Sequence, residues 1–305
     1  MLNLSSVFTA IDGTPQVPMM AMICMATTLL LAIVPSVFAI RHAKKKYKGS
    51  LISLLFGLAM YAIFEFLLLS VVTVAWRTIA EANNNNVIMP VLEAFLKGFM
   101  GIFARGLMIL AIAKSKIVDN SNSLGNAVIS GVGYTIYKTI QILLSTGWGF
   151  VLALTINMFG IGNLTVDMEE EMLEEMANVY EAFHTTPAYE FLVDGIKFLL
   201  ILTISISLSV IIYAVYNKKA HRSLAAFALI INVLFELPFT LRSYEVAFGN
   251  VLVMLLVAAL FAVWMALLAY KTKNVSLKDE VKAIEEGLKN AQKKAFPDFN
   301  ANIKK

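Results

Sequence analysis

PAYEFLVDGIKFLLILTISISLSVIIYAVY, residues 187–216, is the stretch whose reading decides the fold. About 20 consecutive apolar residues cover the hydrocarbon core of a bilayer as a helix. This stretch is longer than that, opens on Pro187, a residue tolerated at the first helical position, and ends just before Asn217-Lys218-Lys219. Its interior charges, Asp194 and Lys197, stand three residues apart, close enough to meet on one helix face.

The same composition recurs on either side, at 18–40, 50–76, 87–113, 125–145, 147–162, 223–241 and 247–270. With 59% hydrophobic and only 15% charged side chains in 305 residues and a mean hydropathy of +0.74, the chain is too apolar for a soluble domain. It reads as all-α, a polytopic transmembrane helical bundle. The net charge of +4 sits mostly on lysines that flank apolar stretches, which suits anionic lipid. No nucleic-acid motif is present, so no nucleic-acid partner is expected. A single cysteine, Cys24, excludes an intramolecular disulfide and a cysteine-built metal site.

Loop charge predicts the topology. The first 17 residues carry no Lys or Arg, and the first apolar stretch ends in the basic run Arg41 to Lys48, the reverse of a cleavable signal peptide. A retained first span with residues 1–17 outside the cytoplasm is expected. The basic loops at 41–48, 114–116 and 217–222 and the lysine-rich tail should share the inner side. Eight full crossings would break this rule, whereas seven satisfy it if 147–162, interrupted by Gly147, Gly149, Gly160 and Gly162, is re-entrant or interfacial. The expectation is therefore seven crossings within 18–270, N-terminus out and C-terminus in, with 164–185 an acidic segment on the outer face. The tail, 271–305, begins a helix at Ser276-Leu277-Lys278-Asp279, and Leu277, Val281, Ile284 and Leu288 form an apolar stripe for the inner membrane face.

The spans carry four acids, Glu65, Glu93, Asp194 and Glu236, four bases, Lys97, Arg105, Lys138 and Lys197, and no histidine; His42, His184 and His221 fall in polar connections. Charges in hydrocarbon are costly, so eight of them mark a packed polar interior. Glu93 with Lys97, and Asp194 with Lys197, can pair along their own helices. Glu65, Arg105, Lys138 and Glu236 must pair between helices or line a wet cavity. Gly98, Gly101, Gly106, Gly131 and Gly133 would let helices approach closely around them.

The segments bearing these charges carry a resemblance. Phe99-Met100-Gly101-Ile102-Phe103-Ala104-Arg105-Gly106-Leu107-Met108 and Ala127-Val128-Ile129-Ser130-Gly131-Val132-Gly133-Tyr134-Thr135-Ile136-Tyr137-Lys138 resemble two signature helices of the YhfC-type intramembrane metalloproteases, relatives of the CAAX-processing and bacteriocin-processing membrane proteases. Leu208 to Lys219 is similar to the ending of that family's sixth span. Ala228-Leu229-Ile230-Ile231-Asn232-Val233-Leu234-Phe235-Glu236-Leu237-Pro238 is similar to its His-containing seventh-span motif. The basic loop 41–48 and Phe64-Glu65 also fit, so the similarity covers most of residues 18–241.

Set against the family pattern, Ala104-Arg105 stands in place of a Glu-Glu pair and Met108 in place of the following Arg. Tyr134 replaces a His and Lys138 a Glu; Ser205 and Asn232 occupy His positions, and Glu236 an Asp position. A metalloprotease needs nitrogen or carboxylate ligands and a carboxylate base for the bound water, and two cations at ligand-bearing positions would repel a divalent metal. The expectation is a protease-like bundle, a pseudoprotease, with no metal, no cofactor and no catalytic residue. Its polar cavity would be built from Glu65, Glu93, Lys97, Arg105, Tyr134, Lys138, Asp194, Lys197, Ser205, Asn232 and Glu236 and used for binding a membrane protein, a peptide or a lipid.

The alternatives are an active intramembrane metalloprotease of this type, or a transporter or channel subunit that uses the buried ion pairs. Serine hydrolysis fails because no histidine is placed to activate Ser130, Ser205 or Ser207. The implied location is a bacterial cytoplasmic membrane. In a Cys24→Ser background, single cysteines near Glu170 and near Lys219 should label from opposite sides of the membrane; labelling from the same side would defeat this topology.

Overall fold

A bilayer offers no water to unpaired backbone amides, so each apolar stretch must satisfy its hydrogen bonds internally as a helix. The computed structural model describes residues 17–83, 88–118, 123–165 and 169–272, and among them the regular structure is helical. In order come α1 (Met19–Tyr47), α2 (Ile52–Tyr61), a π-helical stretch (Ala62–Leu69) running into α3 (Ser70–Asn83), and α4 (Ile88–Lys114). Next are α5 (Leu124–Gly133), α6 (Ile136–Phe159), the short α7 (Ile161–Leu164), α8 (Glu170–Thr185), α9 (Glu190–Tyr216) and α10 (Ser223–Ser243), and finally α11 (Val251–Thr272). Seven runs are long and apolar enough to cross a membrane. The chain is a multi-pass membrane protein. Residues 1–16 and the amphipathic stripe in 273–305 lie outside the described residues.

The count of seven arises differently from the loop-charge argument. Segment 147–162 is not a separate half-inserted element, because residues 147–159 are the second half of α6. Through a short break at Tyr134 and Thr135, α6 joins α5 in one 36-residue run. At 1.5 Å per residue such a run measures about 54 Å, well beyond a hydrocarbon core of about 30 Å. Two stretches that each read as a span therefore share one crossing. Gly147 and Gly149 do not interrupt it, since a glycine inside a helix costs only about 1 kcal/mol and both pack toward α1, near Leu29 and Met25. The helix stops at Gly160, whose φ of +78° only glycine adopts readily.

Packing clusters mark the two ends of the bundle. At one, Ile52, Val118, Leu124, Tyr213 and Ala225 gather, close to the basic residues Lys44 to Lys46, Lys114 and Lys218-Lys219. At the other, Val17, Ala21, Ala153, Ile156 and Ile161 gather around Phe183 of the acidic helix α8. Thus α8 exposes Glu171, Glu174, Glu175 and Glu181 and covers the start of α1 and the end of α6 with its apolar face. Asn157 clasps the chain there, accepting from the Val17 amide at 2.7 Å and donating to the Val17 carbonyl at 3.1 Å.

The most buried span is α9, which packs on α1, α4, α5 and α10. Small residues set how closely its neighbours approach. A Cβ on Gly133 would collide with the Leu54 backbone of α2, and one on Gly131 would come within 2.9 Å of Ile206 Cα in α9. Gly98 packs against Val233 of α10, but Gly106 has no neighbour within 4 Å and serves no crossing. Gly133→Val should therefore lower thermal stability in detergent by the equivalent of about 1–3 kcal/mol or more, while Gly106→Ala should be neutral or mildly stabilising. Equal effects of the two substitutions would contradict this packing.

Candidate functional site

Five elements turn a polar stripe toward the bundle axis, and the stripes meet around a cavity of about 120 Å³. The spacing is helical: Lys97, Gly101 and Arg105 recur every fourth residue on α4, and Asn232 and Glu236 are four apart on α10, so each set shares a face. Lys197 comes from α9, Tyr134 and Thr135 from the break between α5 and α6, and Lys138 from the first turn of α6. Tyr61 ends α2, and Glu65 lies in the π-helical stretch that follows. Such i→i+5 turns are rare and concentrate at functional sites.

Arg105 is the fixed point. Only 4% exposed, its Nη1 donates to the Gly101 carbonyl at 2.7 Å and its Nη2 to Ser205 Oγ at 3.0 Å. Ser205 in turn donates to the Gly131 carbonyl at 2.7 Å. The guanidinium lies 4.0 Å from the centroid of the Tyr134 ring, a cation–π arrangement that strengthens when desolvated. Its Nε–H is buried without a protein partner. Arg105 thus lines the cavity with its Nε–H unpaired.

Glu93, 1% exposed, sits one turn from the cavity and pairs with Lys97 at 2.7 Å, as the i,i+4 spacing predicts. Its second oxygen accepts from the Tyr244 hydroxyl at 2.8 Å, a partner beyond the end of α10 that no local spacing could announce. Asp194 and Lys197 do not behave the same way. Among the described residues they form no ion pair; Lys197 instead lies 5.2 Å over the Phe239 ring, and Asp194 is exposed, lining a second cavity beside the first. Asn232 donates to the Gly98 carbonyl at 3.1 Å, tying α10 to α4.

The eleven expected residues therefore fall into three places. Glu65, Lys97, Arg105, Tyr134, Lys138, Lys197, Asn232 and Glu236 line the central cavity. Glu93 and Ser205 hold Lys97 and Arg105 from behind. Asp194 lies in the adjoining cavity. Sequence reasoning missed Tyr61, Thr135 and Gly101 as lining residues; each stands three or four residues from a charge it accompanies, which is the signal that was available.

Chemically, the cavity offers cations and amide or hydroxyl groups, not a nucleophile beside a base. Four cations face three carboxylates, Glu65, Glu236 and the Glu93 that pairs with Lys97. Among the described residues no three of His, Cys, Asp and Glu cluster as metal ligands. No family model, curated protein or solved structure matches the chain.

The geometry separates two kinds of charge. Glu93 and Lys97 touch, so removing one should cost about 3–5 kcal/mol and removing both less than the sum. Lys138 makes no ion pair with Glu65 or Glu236 among the described residues, and its coupling to either should be smaller. Double-mutant cycles of thermal stability, with Glu93→Gln/Lys97→Met beside Glu236→Gln/Lys138→Met, provide the comparison. A larger coupling for the Lys138 cycle would contradict the assignment.

Proposed function

We propose that the protein is a non-catalytic binding or regulatory membrane protein whose internal cavity holds an anionic group, a carboxylate or a phosphate, on Arg105, Lys138 and Lys197. The observation that carries this function is the held guanidinium with a free donor: Arg105 is pinned by Gly101, Ser205 and the Tyr134 ring, and its Nε–H faces no protein acceptor. A buried donor without an acceptor costs about 1–3 kcal/mol, and a guanidinium held in place is pre-organised for carboxylate or phosphate. The lining carries four cations and two carboxylates, and a cationic excess of one charge remains when the Glu93 behind Lys97 is counted, which supports the same ligand sign.

The bundle is proposed to be of the YhfC type, with its metal ligands replaced. At the positions where that family places ligands, Ala104 carries no donor atom, Ser205 gives its hydroxyl to Gly131 while holding Arg105, Asn232 gives its amide to Gly98, and Tyr134 turns its ring face to Arg105. A divalent ion would also meet the Arg105 and Lys138 charges. By the positive-inside rule, the end carrying Lys44 to Lys46, Lys114 and Lys218-Lys219 is assigned to the cytoplasm, and α8 to the outer face of a bacterial cytoplasmic membrane.

Thermal unfolding of the purified protein in neutral detergent is the test. Inorganic phosphate or acetate at about 100 times its dissociation constant should stabilise the wild type by about 2.7 kcal/mol, and Arg105→Gln should abolish the shift. Equal shifts in both proteins would refute binding at Arg105, and one zinc per chain, lost on mutating Glu65 or Glu236, would refute the non-catalytic assignment.

A further inference from the structure

The second cavity, about 170 Å³, adjoins the first: Lys138, Lys197 and Ile201 belong to both walls. Every described residue that lines it comes from α6 or α9. A space walled by only two neighbouring membrane helices cannot be closed by them, so it opens sideways from the bundle. Its polar groups beyond the shared lysines are Gln141 and Ser145 of α6 and Asp194 of α9. Ile142 and Phe198 form its floor, where α6 and α9 pack with Ala32 of α1.

Its depth follows from helix length. With 27 residues, α9 is about 40 Å long against a hydrocarbon core of about 30 Å. Asp194, in the second turn, then lies at the level of lipid headgroups, and Lys197 lies a turn deeper. On α6, Leu144 beside Ser145 and Trp148 one turn beyond it are apolar and exposed, at 70% each. A polar groove at headgroup depth, flanked by apolar surface, runs inward to the Arg105 cavity.

We propose that the group bound at Arg105 is the headgroup of a monoanionic phosphodiester lipid, which enters sideways between α6 and α9 with its acyl chains left in the bilayer. This rests on the anion-binding function proposed above and adds the ligand class and its route. Three features select that ligand. The inner cavity has room for a phosphate group and not for acyl chains. With the Glu93 that pairs with Lys97 counted, its cationic excess is one charge. The rim carboxylate of Asp194 disfavours more highly charged headgroups, while Lys197 and Lys138 lead a single negative charge inward.

Native mass spectrometry of the full chain in neutral detergent, with phosphatidylglycerol or phosphatidylcholine added in turn, tests the ligand; thermal shifts with inorganic phosphate test the inner site alone. Ser145→Trp fills the groove, and Leu144→Trp adds the same bulk on the outward face. Expected are one retained phosphatidylglycerol per chain, at least tenfold weaker retention of phosphatidylcholine, and at least tenfold loss of phosphatidylglycerol in Ser145→Trp and in Arg105→Gln. Leu144→Trp should be unchanged, and Ser145→Trp should keep the phosphate shift, which also shows that it is folded. Equal retention of the two lipids would overturn the ligand class. Unchanged phosphatidylglycerol in Ser145→Trp would overturn the route and leave anion binding standing. Absence of both lipid and phosphate binding in the wild type would remove the site itself.

Discussion

A guanidinium in the middle of a membrane bundle has to be solvated by its own protein, because the surrounding hydrocarbon cannot do so. Arg105 is solvated by three helices at once: its own α4 through Gly101, α9 through Ser205, and the end of α5 through the face of Tyr134. Ser205 passes the constraint on by donating to the Gly131 carbonyl. Moving any one of these elements exposes an unpaired charge or orphans a buried hydroxyl, so the position of Arg105 and the mutual placement of α4, α5 and α9 are one constraint.

That arrangement requires close backbones. Gly131 lies where a side chain would strike the α9 backbone, and Gly133, two residues on, where it would strike α2. The glycines let α5 fit between α2 and α9, and the chain then breaks at Tyr134 and Thr135, which brings Tyr134 and Lys138 to the cavity. Beside that break, where Tyr61 packs on Tyr134 and Tyr137, the π-helical stretch holds Glu65 at the cavity. The polar interior is thus built where helices depart from regular geometry or approach unusually closely.

Much of this was legible in the sequence, for identifiable reasons. Lengths and hydropathy located the spans, since nothing else accounts for so many apolar runs of membrane length. Charges inside those runs located the polar interior, since hydrocarbon tolerates them nowhere else. Glu93 with Lys97 was readable because i,i+4 neighbours meet on any helix. Asp194 with Lys197 followed the same rule and did not pair, because Phe239 of α10 offers Lys197 an aromatic face that local spacing cannot reveal. The continuity of 147–159 with the stretch before it was not legible, because glycines suggest helix breaks, whereas α1 packs along that face and the helix continues. The π-helical stretch has no Gly or Pro to announce it, and the Tyr244 contact to Glu93 joins positions 151 residues apart.

The central claim is that a buried, pre-organised arginine that lines the cavity and has an unpaired Nε–H binds an anion inside the bundle. The most direct test is a dipolar-recoupling solid-state NMR distance between the phosphorus of a bound phosphate group and the ¹⁵N-labelled side chain of Arg105 in lipid bilayers. The account predicts a dephasing signal from phosphorus within hydrogen-bonding contact of Nε, absent in Arg105→Gln. A fully bound sample with no phosphorus coupling to Arg105 would contradict it.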